Sequence, residues 1–383
     1  MGYGRALLWF YGLFLVLAID GGSVMGLSRC KFPAIYNFGD SNSDTGGISA
    51  AFLPVPPPNG ETFFHKPSGR VCDGRLLIDF IAESLGLPSL SAYLDSIGTN
   101  FQHGANFATG GSTIQPQNLS LFTGGFSPFS LNVQLWQFSQ FKMRTNELYQ
   151  QGNTSIKCNL PKPEDFSKAL YTLDIGQNDL AAGFQSMTND QVLATIPNIL
   201  DQFSQAIQQL YQLGARAFWI HNTGPIGCLP YSVIYYPLKP RNLDQNGCVK
   251  PQNEVAQEFN RQLKDRVSQL RGILPQAALT YVDVYSAKYG LITNAKKQGF
   301  VEPLKFCCGH HEDGGYHVDC GKKAVVNGTE VYGASCGNPS MYVSWDGVHY
   351  SHAANHWIAN RILNGALSDP HLVITHACHR SPR

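Results

Sequence analysis

The chain has 383 residues, of which 43% are hydrophobic and only 14% charged, with 28 Lys and Arg set against 27 Asp and Glu. That composition excludes a disordered chain, and the balanced charge without long runs of one sign excludes a nucleic-acid footprint or an acidic tail. What remains is a globular protein for a small or neutral ligand, and the length suits one α/β domain with insertions.

The chain opens with Arg5, an apolar stretch over residues 6–19, and small residues at Gly21, Gly22, Ser23 and Gly26. This is the layout of a secretory signal peptide, so residues 1–26 are read as a removable leader and 27–383 as a single domain. The apolar run falls short of the roughly 20 residues that cross a bilayer, and no later segment is apolar for long enough. A soluble protein with no stable membrane anchor, secreted to the extracellular space or cell wall, is therefore expected. Ten cysteines fit an oxidising compartment. The expected bridges are Cys228 with Cys248, two within the cluster Cys307, Cys308, Cys320 and Cys336, and Cys30 with Cys378 tying the two mature ends. Asn118, Asn153 and Asn327 head glycosylation sequons, whereas the sequon at Asn338 is blocked by Pro339.

Five short β-branched or aromatic segments read as strands: 34–38, 105–108, 170–175, 217–221 and 279–284. Between and after them, apolar residues three or four apart predict helices over 76–85, 133–149, 192–213, 255–270 and 353–363. No internal repeat or long linker interrupts the series, apart from a short stiff loop over 54–58. Strand and helix alternate, which argues for a three-layer α/β/α sandwich around a five-stranded parallel sheet. Ligands of such sheets gather at the carboxyl ends of the strands. The segments there are Gly39-Asp40-Ser41, Thr109-Gly110-Gly111, Gly176-Gln177-Asn178-Asp179 and Asn222-Thr223-Gly224-Pro225.

Ser41 leaves the first strand through Gly39-Asp40, with Asp40 or Asp44 placed to accept N–H bonds at a following helix start. A serine at a helix N-terminus meets donors for the negative charge of acyl transfer, although the same residue also reads as a plain cap. A serine nucleophile needs a base. Among twelve histidines, His65, His103, His221 and His371 read as packed or solvated. His349 differs because Asp346 stands three residues before it, close enough to bend back to Nδ1 and leave Nε2 for Ser41.

Four blocks in order now resemble the GDSL (SGNH) hydrolases, and most closely their secreted plant branch. Phe38-Gly39-Asp40-Ser41 with Asp44 and Gly46 resembles the first block, and residues 104–112 resemble the glycine block. Gly176-Gln177-Asn178-Asp179 matches the G-x-N-D block, and Asp346-Gly347-Val348-His349 matches the D-x-x-H block. The resemblance implies a serine esterase or lipase without metal or cofactor. Ser41 would be its nucleophile, His349 its base and Asp346 the residue that orients the base. Ser41 N–H, Gly111 N–H and the Asn178 amide would form the oxyanion hole, with Gly110 the alternative register for the glycine. Asn42 stands where the family has Leu and Gly47 where many members carry Asn, which is expected to alter pocket shape. A monomer acting on a small-molecule or glycan ester is expected.

Two competing signals remain. Gly333-Ala334-Ser335-Cys336-Gly337 fits a G-x-S-x-G elbow but is followed by Asn338-Pro339 where that motif needs a helix. The run Cys307-Cys308-Gly309-His310-His311-Glu312, with His317 and Cys320 beyond it, has the residue types of a zinc site without the H-E-x-x-H spacing. An acyltransferase with the same triad, a glycosidase using paired carboxylates, and a non-catalytic secreted protein are the rival functions. The substrate is not legible: the loops 51–66 and 231–246, with Phe63, Phe64, Tyr235 and Tyr236, fit an acyl or sugar pocket as well as simple packing.

Overall fold

The computed structural model describes residues 28–152, 154–236, 242–312 and 316–380. The expected leader and Asn153 therefore lie outside the described residues. In chain order the main elements are β1 (Ile35–Gly39), α1 (Gly47–Ala51), α2 (Leu77–Ser84), β2 (Gly104–Asn106), α3 (Leu131–Gln150), α4 (Thr154–Lys157) and β3 (Leu170–Asp174). They continue with α5 (Gln177–Ser186), α6 (Asn189–Gln212), β4 (Ala217–His221), α7 (Pro230–Tyr235), α8 (Lys250–Ile273), β5 (Ala278–Val282) and α9 (Val284–Asn294). Two hairpins follow, β6 (His310–Glu312) with β7 (Tyr316–Val318) and β8 (Lys323–Val326) with β9 (Thr329–Tyr332), and then α10 (His352–Ile362) and β10 (Ser368–Asp369).

The central sheet runs in the order β10-β5-β4-β3-β1-β2, and its first five strands in sequence are all parallel. The five expected strands are present, each within two residues of its expected bounds. A sixth, β10, pairs antiparallel with β5 through only two residues, too short for any sequence periodicity to announce. Every residue of β1, β3, β4 and β5 is buried, because helices close both faces of a parallel sheet. The helices α3, α6 and α8 pack on one another, as do α2, α10 and α9, giving the two outer layers. The helix α5 was not anticipated, since the first turn of Gln177–Ser186 is spent on polar site residues and its apolar stripe is short.

An aromatic cluster anchors the strands that carry the site. Tyr36 of β1 stacks on Phe166 at 5.2 Å and meets Phe138 of α3 edge-on at 5.1 Å, while Phe138 also meets Phe38 at 5.6 Å and Tyr171 at 5.7 Å. Such edge-to-face pairs add to the burial of the rings themselves. The four expected disulfides are formed: Cys30–Cys378, Cys228–Cys248, Cys307–Cys336 and Cys308–Cys320. Cys72 and Cys158 remain as thiols, the first buried and the second exposed. Among the described residues no helix is long and apolar enough to cross a membrane.

Phe138 of α3 touches rings from β1, β3 and the segment after β2 at once, so Phe138→Ala should leave a cavity the sheet cannot close. A loss of about 3–5 kcal/mol is expected, read as a lower guanidinium midpoint with the disulfides intact.

Candidate active site

β1 ends where the chain must turn sharply beside β3. A side chain at Gly39 would place its Cβ 2.5 Å from the Asp174 carbonyl oxygen and from Ser43 Oγ, so this exit requires glycine. Asp40 N–H then donates to the Asp174 carbonyl at 3.2 Å, and Ser41 follows in a turn. The helix expected to start at Ser41 starts at Gly47 instead and is only five residues long. Ser41 therefore meets turn amides and not a helix dipole. The reason is Asp44, whose carboxylate takes the N–H groups of Gly46, Gly47 and Ile48 and so caps the helix six residues later.

The same Asp44 carboxylate also accepts Gly110 N–H at 2.8 Å, locking the Ser41 turn to the glycine block. This separates the two registers left open by the sequence. Gly110 N–H is taken, whereas the N–H groups of Ser41 and Gly111 have no acceptor among the described residues. Gly111 lies at φ 74°, and a Cβ there would fall 2.4 Å from the Gly125 carbonyl oxygen and 3.0 Å from the Phe122 ring. Phe122, on a loop the sequence reading passed over, therefore covers this end of the site.

Asn178 sits in the first turn of α5. Its Nδ2 donates one hydrogen to the Ser112 carbonyl at 2.9 Å, leaving the second for another acceptor. The neighbouring Asp179 accepts Ile114 N–H at 2.8 Å and Gln115 N–H at 3.0 Å, binding the helix start to the glycine block. Burial pushes the Asp179 carboxyl up to about 7 despite these bonds.

From the opposite side comes the loop after Trp345. Trp345 is fully buried, with its Nε1 donating to Asn59 and its carbonyl accepting the N–H groups of Cys307 and Cys308. The two disulfides of the cysteine cluster thereby clamp the backbone just before Asp346. Asp346 Oδ1 accepts Val348 N–H at 2.9 Å and His349 N–H at 2.8 Å, while Oδ2 accepts His349 Nδ1–H at 2.7 Å. His349 Nε2 lies 2.8 Å from Ser41 Oγ and accepts its hydroxyl proton. Burial disfavours the imidazolium, but the charge of Asp346 and its hydrogen bond outweigh that and hold His349 above the ordinary histidine range. Burial likewise opposes the Asp346 charge, yet His349 and the turn amides keep the carboxyl below its ordinary value.

The structure thus brings Ser41, Gly111, Asn178, Asp346 and His349 into one site at the carboxyl ends of β1 and β3. Asn42, where the family has Leu, binds Asp40 Oδ1 through its backbone N–H at 2.9 Å and its side-chain amide at 2.8 Å. Asp174 and Lys288 went unnoticed in the sequence, where His221 reads only as packed or solvated. His221 is packed, as expected, but its Nδ1 lies 3.1 Å from Asp174 Oδ2 in a buried pair. Ionisable residues inside segments read as buried strands were the available signal.

The competing motifs separate from the site. Ser335 bridges to Cys308, its Oγ donates to Glu61, and its neighbour Cys336 is in a disulfide, so it is no nucleophile elbow. All four cysteines of the would-be zinc cluster are spent in disulfides and unable to act as thiolate ligands. Phe63 packs against His352 and beneath Arg75, and Tyr235 pairs with Tyr231 at 4.6 Å.

Comparison with known proteins agrees with this geometry. Residues 35–362 match the GDSL-like lipase/acylhydrolase family. A GDSL esterase/lipase of Arabidopsis thaliana is 58% identical over 97% of this chain and 96% of its own length. A GDSL esterase/lipase of Zea mays is 55% identical over 91% and 90%. A protein named alpha-L-fucosidase 3 of Arabidopsis thaliana is 54% identical over 88% and 91%. The chain belongs to the GDSL-like lipase/acylhydrolase family and is a carboxylic ester hydrolase of that family.

Proposed function

We propose that the chain hydrolyses its ester through an acyl-Ser41 intermediate, and the observation that carries this is the continuous hydrogen-bonded series from Asp346 through His349 to Ser41. Ser41 Oγ attacks the ester carbonyl carbon as its proton passes to His349 Nε2, and Asp346 stabilises the imidazolium. The carbonyl oxygen takes up negative charge facing Ser41 N–H, Gly111 N–H and the free hydrogen of the Asn178 amide. His349 then protonates the departing alkoxide, and a water molecule repeats the sequence to release the acid and regenerate Ser41.

The wider setting is part of the same proposal. Residues 1–26 act as a signal peptide and 27–383 as one secreted domain, a reading supported by four disulfides. Asn118 and Asn327 are exposed, as glycan acceptors must be, and Asn327 lies at the tip of the β8–β9 hairpin. Asn153 is proposed from its sequon alone. The enzyme works as a monomer on a lipid ester or on an acetylated glycan or metabolite.

A second reading, glycosidase, draws on the relative named a fucosidase. Glycoside hydrolysis uses two carboxyl groups flanking the bond. Here both Asp346 oxygens are already bonded and Asp40 is buried, which favours the ester. Transfer of the acyl group to an alcohol instead of water uses the same residues and is separated by product analysis.

Folded Ser41→Ala should lose all turnover on p-nitrophenyl esters from acetate to long-chain acyl. Retained p-nitrophenyl fucoside cleavage in that variant would instead establish the glycosidase. Asn178→Ala should lower kcat by about 10²–10³-fold with little change in KM. Because His349 works as a base only when neutral, and its pKa is held up by Asp346, kcat/KM should fall with decreasing pH through a midpoint above the ordinary histidine value. A midpoint in the ordinary carboxylate range would remove His349 from that role.

A further inference from the structure

Beneath the Ser41 turn lie four ionisable side chains that the proton transfers above do not use. Asp40 comes from the exit of β1, Asp174 from the end of β3, His221 from the end of β4 and Lys288 from α9, and all are buried. Charges gathered in a protein interior persist only when they are compensated, and leaving one unpaired is strongly unfavourable. Their arrangement accounts for most of that compensation. Asp174 accepts from His221 Nδ1 at 3.1 Å, and its carbonyl accepts Asp40 N–H. The Lys288 ammonium lies 4.6 Å from the ring centroid of Tyr350, the residue following His349, and its charge acts on both Asp174 and Asp40.

His221 Nε2 and Asp40 are the exceptions, and of the two Asp40 is the carboxylate. One carboxylate oxygen holds two bonds from Asn42, while the other is buried without a hydrogen-bond partner among the described residues. An incompletely satisfied carboxylate, one residue before the nucleophile and within the field of the base, is a poor structural device. It is a good electrostatic one, because a group not neutralised by hydrogen bonds still projects its charge.

We propose that Asp40 is a second carboxylate serving His349, a positioning residue that with Lys288 sets the charge the imidazole meets as it takes the Ser41 proton, while Asp174, paired with His221, balances the Lys288 charge. The proposal rests on the reading of His349 as the base. The groups that face His349 are Asp346 from its own loop, Ser41 and Asp40 from the β1 exit, and Lys288 from α9. The Asp40 carboxylate favours the imidazolium and the Lys288 ammonium opposes it. Burial, with Asp174 adding, pushes the Asp40 carboxyl up to about 7, and Asn42 and Lys288 pull against that rise. Asp40 therefore changes charge close to neutral pH, and its protonation removes a charge that favours the imidazolium. Asn42 acquires a use from this: where the family has Leu, this chain places a donor that holds Asp40 in its anionic form.

The test is the pH profile of kcat/KM on a p-nitrophenyl ester for the full-length protein beside Asp40→Asn, Lys288→Met, Lys288→Arg and Asn42→Ala, with folding checked by circular dichroism. Asp40→Asn keeps the shape and an acceptor for Asn42 but removes the negative charge, so the acid limb should move to lower pH by about half a pH unit or more. Asn42→Ala withdraws a donor that keeps Asp40 anionic and should move the limb the same way by a smaller amount, whereas Lys288→Met should move it to higher pH, and Lys288→Arg, which keeps the charge, should restore the wild-type limb. A purely structural role lowers kcat and leaves the limb in place. An acid limb of folded Asp40→Asn that superimposes on wild type overturns the proposal, as does movement of Lys288→Met toward lower pH or of Asn42→Ala toward higher pH. If Lys288→Met fails to fold, Asp40→Asn and Asn42→Ala still decide through their shared shift toward lower pH. Esterase activity surviving in Ser41→Ala would overturn the underlying reading of the site instead, so the two failures are distinguishable.

Discussion

The site depends on a single buried carboxylate. Asp44 accepts backbone N–H groups from Gly46, Gly47 and Ile48 and, across the site, from Gly110. A carboxylate has about four acceptor positions, and here they are filled by amides of two segments that are 66 residues apart in the chain. That one residue starts α1, frees Ser41 to stand in a turn ahead of it, and takes the Gly110 amide while the Gly111 amide has no acceptor among the described residues. Asp179 does the same between α5 and the glycine block. The donors proposed for the oxyanion are thus held by bonds that exist before any substrate arrives, which is what preorganisation requires.

The proposed base arrives by a different route. His349 and Asp346 share one tight loop, but the direction of that loop is set by Trp345 and by the disulfide knot whose cysteine amides bind the Trp345 carbonyl. Cross-links of this kind limit the freedom of a region that has little apolar core of its own. The hairpins β6–β7 and β8–β9 are short and far from the main sheet, so the bridges substitute for packing there. The cysteine cluster that resembled a metal site in composition is thereby a brace for the catalytic loop.

The same depth of burial explains why charge at this site is so interdependent. Asp40, Asp174, His221, Lys288, Asp346 and His349 lie where water screens poorly: Lys288 acts on Asp40 and Asp174, Asp174 acts on Asp40, and Asp346, Asp40 and Lys288 act on His349. Burial works against the Asp174 charge, but the His221 hydrogen bond, the His221 charge and Lys288 outweigh it and hold Asp174 ionised. A triad in such surroundings is part of a larger ionisable system whose members come from β1, β3, β4, α9 and the loop before α10.

Much of this was legible in the residues. Strand-length apolar segments and helical periodicity located the five parallel strands and the main helices, because those signals are local and repeat every two or 3.6 residues. Ser41, Asn178, Asp346 and His349 were legible because each lies in a short block whose chemistry is contained in three or four adjacent positions. The sequence by itself determined the layered fold and singled out the residues proposed for the site. Only the tertiary structure decided that α1 starts at Gly47, that Gly110 and not Gly111 is consumed by Asp44, that β10 closes the sheet edge, and that Asp174, His221 and Lys288 meet beneath Ser41. Those facts depend on which distant backbone groups and charges satisfy one another in the interior, and no local pattern of residue types encodes that pairing.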